Sequence, residues 1–381
     1  MSETTTTTEA ATGRAISARR AGVTAGLRHP RTYLWAAGSV LLLAFPFYLD
    51  RFWLQAGLFA MAAAIGAIGL NLLTGATGQL SMGHASFLAV GAYGYCVLAG
   101  GSSAVDGHEL TGLGLPSWLS AVLAVLLAGV AGGLFSPIAG RLRGAYLGIA
   151  TLALIFIGQH VLFNAGSLTG GFNGRAVPPL SLFGFDFDDT EVVVAAVPFQ
   201  SAEKLWYAAL LALLLSGVFA RGVLRGRPGR ALNAIRDHRI AAGVMGVPVA
   251  RYRAGVFVLS SMYAGLAGVL LALVFQRTVP EYFGMVQSLE YLAMIVIGGL
   301  GTVAGAVVGA AFVSLLPQLL TRYSDSLPLV SAPGTGGPAP GEASRYLYGA
   351  AVVAAVLFLP GGLTRLLPGG PARSKNPGEK K

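Results

Sequence analysis

Charge is what this chain has least of. Lys, Arg, Asp and Glu make up 11% of its 381 residues, where soluble domains carry roughly a quarter. Lysine is confined to Lys204, Lys375, Lys380 and Lys381. None of them sits in a GxxxxGK[ST] context, so no phosphate loop of that kind is expected and the chain should hold no ATPase site of its own. Cysteine occurs once, as Cys96 in an apolar run. That excludes an intramolecular disulfide and a cysteine-based metal cluster, and Cys96 reads as a small buried hydrophobe. Five scattered histidines supply no converging metal ligands. No Ser/His/Asp or Cys/His arrangement carries a local signature. The expectation is a non-enzyme with no cofactor or metal of its own.

What is abundant is apolar: 54% of residues are hydrophobic and mean hydropathy is +0.67. Apolar runs of about 20 residues define an all-α polytopic membrane protein, with 8–10 transmembrane or re-entrant helices expected. The 54 glycines, with many alanines, point to helices in close contact. Spans are placed at 33–49, 53–73, 80–100, 117–138, 145–165, 204–223, 254–275 and 345–360, with a long block at 290–318. Residues 1–32 read as a Thr/Ala-rich disordered tail without the short apolar core and cleavage site of a secretory signal. Residues 33–366 form the membrane domain, and 367–381 a basic tail.

The net charge of +10 is distributed as a membrane would sort it, which argues against nucleic acid. Arg14, Arg19, Arg20, Arg28 and Arg31 precede the first span and place the N-terminus in the cytoplasm. Loop 101–116 then falls outside with Asp106 and Glu109. Loop 166–203 is also outside and acidic, with Asp186, Asp188, Asp189, Glu191 and Glu203. Loop 224–253 falls inside, with seven arginines against Asp237 alone. The tail with Arg365, Arg373, Lys375, Lys380 and Lys381 also belongs inside, which requires an even number of crossings. The 290–318 block would make roughly 43 Å of continuous helix, too long for one simple crossing. Its centre, GGLGTVAG (298–305), is a natural break, so two short or re-entrant passes are expected, followed by a Pro/Gly-rich external loop at 321–344.

Three rows of small residues, Gly301–Gly305–Gly309, Ser81–Ala85–Ala89 and Ala264–Gly268–Ala272, read as helix-packing faces. Intramembrane acids are absent from the apolar runs, where ion-coupled carriers usually keep them; Glu290 and Asp50 sit at span edges. The interior polar groups are Asn71, Gln79, His84, Gln159 and His160, and His84 reads first as a hydrogen-bonded helix contact, second as a relay. The loop stretch ALNAIRDHRIAAGVMG (231–246) reads as one amphipathic helix ended by Gly246 and Pro248. Its apolar points are Ala231, Ile235, Ile240 or Ala241, and Met245. Composition leaves two roles open: lying on anionic lipid or docking into a groove of a cytoplasmic partner.

The sequence GRALNAIRDHRIAAGVMGVPVARYR, followed by FVLSSMYAGLAGVLLA, resembles the coupling loop and next span of LivM-type permease subunits of branched-chain amino-acid ABC importers. GATGQLSMGHASFLAVGAYGY (75–95), TGGFNGRAVPPL (169–180) and AMIVIGGLGTVAGAVVGAAFVSLLPQLL (293–320) resemble three further family segments, in the expected order. The resemblance implies a bacterial inner-membrane importer with both termini cytoplasmic. Its implied partners are a second, LivH-like permease, two cytoplasmic LivF/LivG-like ATPase subunits that use the ATP, and an extracytoplasmic substrate-binding protein. The importer motif Glu-Ala-Ala-x-x-x-Gly maps onto Ile240, Ala241, Ala242 and Gly246, with Ile in the Glu position. The implied ATPase-coupling contacts are Arg236, Asp237, Ala241, Ala242 and Gly246. The implied pathway residues are Asn71, Gln79, Ser81 and His84, on a segment that Gly75 and Gly78 break and turn toward the pathway. A permease for urea or short amides remains the alternative substrate reading. An ATP-independent channel or carrier ranks below it, because the coupling loop argues against one.

Overall fold

A computed structural model of the chain describes residues 38, 42–105, 108–142, 144–182, 185–188, 192–194, 197–323, 340–358 and 362–363. The tails 1–32 and 367–381 and most of the 321–344 loop lie outside the described residues. The chain divides into two compact units, Met1–Leu49 with Leu367–Lys381, and Asp50–Leu366. In the first, residues 42–48 are helical. The second contains everything that follows.

In a bilayer, peptide groups must be paired within the protein, which makes helix the default for an apolar run. Eleven helices are described: α1 (Arg51–Thr77), α2 (His84–Ala99), α3 (Ser117–Arg141), α4 (Ala145–Asn164), α5 (Ser201–Arg225), α6 (Arg227–Asp237), α7 (Arg239–Val244), α8 (Val249–Phe275), α9 (Met285–Gly298), α10 (Val303–Arg322) and α11 (Pro340–Phe358), beside a single turn at Gly166–Thr169. Six of them, α1, α3, α4, α5, α8 and α10, are long and apolar enough to cross a membrane. Two others, α2 and α9, are apolar but shorter; at 1.5 Å per residue they span roughly 24 and 21 Å, less than a ~30 Å hydrocarbon core.

The 290–318 block is interrupted within its glycine-rich centre. Helix α9 ends at Gly298 and α10 begins at Val303, where the Thr302 hydroxyl accepts the Gly305 N–H at 3.1 Å as an N-cap. Proline 137 lies inside the last turns of α3 and cannot donate to the Gly133 carbonyl. The Ser136 hydroxyl donates to that carbonyl instead, at 2.8 Å. The connecting segments carry small antiparallel ladders that composition did not signal. Strand β1 (Ser103–Val105) pairs with β2 (His108–Leu110), β4 (Ser181–Leu182) with β5 (Phe185–Asp186), and β6 (Val192–Val194) with β7 (Val197–Phe199). Strand β3 (Arg175–Ala176) pairs with β8 (Arg277–Thr278), tying the 166–203 loop to the chain that follows α8.

Helices α1 and α8 form the core. α8 packs on α1, α2 and α3, while α10 and α5 cover other faces of α1. Small side chains make this possible: a Cβ on Gly268 would run into the Leu88 carbonyl, and one on Gly91 into the backbone of Gly265. Helices α4 and α5 are peripheral and present Ile149, Phe156, Ile157, Leu211, Leu215 and Phe219 outward, as a lipid-facing surface does.

Two of the expected packing rows need correction. Gly305 and Gly309 do lie on α10, and Gly309 abuts the Met294 carbonyl of α9. Gly301, however, stands in the turn before the helix at φ +82°, so it serves the break and not the row. Ser81 likewise precedes α2, leaving Ala85 and Ala89 on the helix.

A leucine at position 268 forces α2 and α8 apart, an overpacking cost of about 1–3 kcal/mol. Gly268→Leu is therefore expected to lower the melting temperature of the detergent-solubilised protein. Gly255→Leu, on the same helix but facing open space, should leave it unchanged; equal melting of the two variants would refute the crossing.

Candidate functional site: two helix breaks and a basic loop

The stretch that begins at Gly78 is not a continuous span. Helix α1 stops at Thr77, Gly78 adopts φ +69° with its N–H on the Thr74 carbonyl at 3.0 Å, and residues 78–83 are non-helical until α2 starts at His84. Backbone freed in this way has to find partners inside the protein. Two hydroxyls from neighbouring helices provide them. Thr151 Oγ1 of α4 accepts the Met82 N–H at 2.9 Å, and Ser288 Oγ of α9 accepts the Ala85 N–H at 2.9 Å. The Thr151 hydroxyl is itself anchored on the Leu147 and Gly148 carbonyls, at 3.0 and 2.9 Å. Sequence reasoning missed both residues, because a lone hydroxyl in an apolar run carries no signal until its neighbour is known.

Gln79, Ser81 and His84 are all buried at this break. Gln79 Nε2 donates to Thr77 Oγ1 at 3.0 Å. The His84 ring lies against Tyr291 of α9, with centroids 4.9 Å apart. Thr74 Oγ1, Gln79 Oε1 and His84 Nε2 have no hydrogen-bond partner among the described residues. Each buried unpaired polar atom costs about 1–3 kcal/mol, so their concentration at one break is a poor way to build a merely stable bundle.

Asn71 proves different in kind. Its Nδ2 donates to the Thr302 carbonyl and its Oδ1 accepts the Gly301 N–H, both at 2.8 Å. Both ends of the amide are thus engaged by the turn at 299–302. Gly75 meets the Gly301 backbone so closely that a Cβ there has no room, and Gly362 seats on Gly299. The two breaks therefore meet at the C-terminal end of α1.

The basic loop lies at the same end. In place of the single helix expected over 231–246, α6 and α7 are separated by His238, extended at φ −154°, whose Nδ1 receives the Ala241 N–H at 3.4 Å. Leu232 and Ile235 of α6 are buried where it packs on α5 and α1, so its apolar face is turned to the protein and not to lipid. Helix α7 ends in a Schellman motif: Val247 N–H reaches the Ala242 carbonyl at 3.0 Å, Gly246 N–H the Gly243 carbonyl at 3.1 Å, and Gly246 takes φ +84°. Ile240, Val244 and Met245 are left 75%, 82% and 84% exposed, an apolar tip that the motif mapping identified only at Ile240. Of the expected coupling residues, Asp237, Ala241 and Gly246 are exposed, whereas Ala242 is buried. Arg236 turns inward, its Nη1 donating to the Gly75 carbonyl at 2.9 Å. Arg253, at the base of the loop, donates to the Ala139, Gly140 and Leu142 carbonyls at 3.0–3.3 Å and so caps α3.

Away from the breaks, an apolar cavity of about 460 Å³ lies between α2, α3 and α4. Ser86, Val90, Tyr93, Leu127, Phe135 and Leu154 are among its lining residues, Gln159 reaches it from α4, and Asn71, Gln79, Ser81 and His84 are not among them. His160 is exposed on α4, where Asn164 Nδ2 donates to its carbonyl at 2.8 Å.

Interrupted spans with buried polar groups, joined at one end to a basic helical loop, define a multi-pass helical membrane protein of the transporter kind. Residues 54–356 match the family described as "Branched-chain amino acid transport system / permease component". The chain is 31% identical over 298 residues to the high-affinity branched-chain amino acid transport system permease protein LivM of Escherichia coli K12, covering 75% of this chain and 68% of that protein. It is 27% identical over 268 residues to LivH of Salmonella typhimurium, covering 68% and 82%. Among solved structures, PsaBC from Streptococcus pneumoniae in complex with Fab aligns over 83% of this chain and 95% of that one, at 14% identity and a TM-score of 0.40. The chain belongs to the family of branched-chain amino acid transport permeases, and its type is that of LivM.

Replacing Thr151 by Val removes the acceptor for the Met82 N–H at a cost of about 1–3 kcal/mol. Hydrogen exchange over residues 80–86 should quicken in Thr151→Val and return to the wild-type rate in Thr151→Ser. Unchanged exchange in the valine variant would show that the hydroxyl does not hold the break.

Proposed function

We propose that this chain is the LivM-like permease subunit of an ATP-binding-cassette importer of branched-chain amino acids in the bacterial inner membrane. It forms one side of the pathway, with a LivH-like permease as the other. Two LivF/LivG-like ATPases bind and hydrolyse the ATP, and an extracytoplasmic binding protein delivers the amino acid. Both termini are cytoplasmic, and loops 101–116, 166–203 and 321–344 face outward. This topology agrees with the arginine-rich loop, the C-terminus of α1 and the 299–302 turn lying together at one end of the bundle.

The observation that carries the reading is the exposed tip Ile240–Val244–Met245 at the end of a basic loop whose other helix is packed on the interrupted spans. An apolar helical knuckle on a charged cytoplasmic face is costly to expose unless a partner groove receives it. Asp237, Ala241 and Gly246 flank the tip and complete the docking surface. When the ATPases close, α6 and α7 move with them and the motion reaches the breaks at 78–83 and 299–302. Gln79 and His84, each with a buried polar atom that has no partner among the described residues, and Ser81 beside them are the groups that a passing zwitterion would meet.

Gly246 holds a left-handed conformation that costs a side chain about 1–2 kcal/mol, while among the described residues no atom beyond its chain neighbours lies within 4 Å of a Cβ there. Gly246→Trp is expected to stay membrane-inserted yet lose the ATPase subunits on co-purification and abolish uptake. Normal transport by that variant would sink the docking role. Retention of ATPase subunits by the wild type also separates the importer from an ATP-independent channel. Titration of the cognate binding protein separates substrates: leucine-type ligands support the reading, and binding of urea or short amides alone would replace it.

A further inference from the structure

Helix α1 ends at Thr77, so the Gly75 carbonyl is one of the acceptors that a helix terminus leaves without an intrahelical donor. The Gln79 N–H that would have served it belongs to the non-helical segment 78–83. Arg236 Nη1 takes its place at 2.9 Å. The guanidinium also comes within 3.8 Å of where a Gly301 Cβ would stand, and the Arg236 Cγ methylene within 3.4 Å of the same position on Gly78. One side chain of α6 is therefore bonded to the first break and lies beside the second, and Asn71 joins those breaks through its two 2.8 Å bonds to the 299–302 turn.

The loop's other inward arginine is unlike it. Arg253 is buried and holds the carbonyls of Ala139 and Gly140 in α3 and of Leu142 just past its end, which fixes the base of α8 to the end of α3. Arg236 has its side chain 45% exposed, one bond to the spans and a 3.5 Å pairing with Asp237 on its own helix. A guanidinium so placed can leave the Gly75 carbonyl for water or for Asp237 without burying a charge. The fixed tie is a hinge; the exposed tie is releasable.

We propose that Arg236 is a positioning residue of the transport cycle, a latch that keeps the breaks at 78–83 and 299–302 closed on each other until movement of the α6–α7 loop withdraws it. The ATPase is met by the α7 tip, and Arg236 passes the displacement inward through Gly75 to Asn71 and the Gly301 turn. This assignment rests on the importer reading above, and it moves Arg236 from the docking surface to the link behind it. A side-chain hydrogen bond with a charged donor, half open to water, shifts a two-state balance by about tenfold, enough to uncouple a motor without unfolding it.

The test uses the complete complex, reconstituted in proteoliposomes with its partner permease, both ATPases and its binding protein. ATP hydrolysis, amino-acid uptake and co-purified ATPase are measured for wild type, Arg236→Ala and Arg236→Lys. Arg236→Ala should retain its ATPases and hydrolyse ATP while uptake per ATP falls about tenfold. Arg236→Lys, which still donates to a carbonyl, should recover most of the ratio. An unchanged ratio in Arg236→Ala overturns the latch, and so does loss of the ATPases, which would make Arg236 a docking contact after all. Failure of the wild-type complex to couple hydrolysis to uptake would count against the importer reading instead.

Discussion

The two hydrogen bonds of the Asn71 amide hold the arrangement on which the rest depends. A chain crossing a bilayer can interrupt a helix only where the freed peptide groups are paired by protein or reach a cavity. This fold interrupts itself twice, after α1 and after α9, and Asn71 lets one break serve the other. Its carboxamide, with one acceptor and one paired donor, spans the Thr302 carbonyl and the Gly301 N–H as a strand neighbour would. A hydrophobic side chain there would leave two peptide groups unpaired at the end of the bundle. An acidic one would match the N–H but repel the carbonyl.

Around that joint, close approach is achieved by absence. Gly75 fits against the Gly301 backbone because it carries no side chain, and Gly362 fits against Gly299 for the same reason. Deeper in the bundle, Gly91, Gly265 and Gly268 let α2 and α8 meet backbone to backbone. Hydrophobic segregation drives little in lipid, so such contacts and the few polar bonds between helices supply the cohesion. The cost of the design is concentrated at the first break, where Gln79 and His84 bury polar atoms without partners among the described residues. The cavity between α2, α3 and α4, by contrast, is lined almost wholly by apolar side chains.

How much of this the sequence disclosed follows from what kind of signal each feature leaves. Both breaks were legible, because glycine clusters such as GGLGTVAG, and Gly78 followed by polar residues, conflict with a continuous apolar helix. The peripheral spans were legible from length alone. The division of the loop helix at His238 was not, because apolar residues continue on either side and only the backbone turns. The hydrogen-bond partners of Asn71, Arg236 and Arg253 were also hidden. Sequence assigned Asn71 to the pathway and the arginines to docking or charge sorting, since nothing local reveals a carbonyl 113 residues away in the case of Arg253 and Gly140, or 161 for Arg236 and Gly75. Thr151 and Ser288 were invisible for the same reason. What a single sequence omits is the partner of each polar group.

Those arginines connect two rules usually treated apart. On the proposed topology α1 and α3 both run inward, so their C-termini, with unpaired carbonyls and a partial negative charge, end at the cytoplasmic face. The positive-inside rule gathers arginines at that same face for reasons of membrane insertion. Arg236 and Arg253 each meet one of these helix ends, so charges that orient the chain also cap its inward-running spans. The two caps differ in burial, and that difference decides what each can do. A guanidinium sealed beneath α3 with three carbonyls has nowhere to go, whereas one at the edge of solvent with a single carbonyl exchanges it for water at little cost. The moving parts of such a protein are therefore to be sought where a helix cap remains half exposed, beside glycines that allow the backbone to turn.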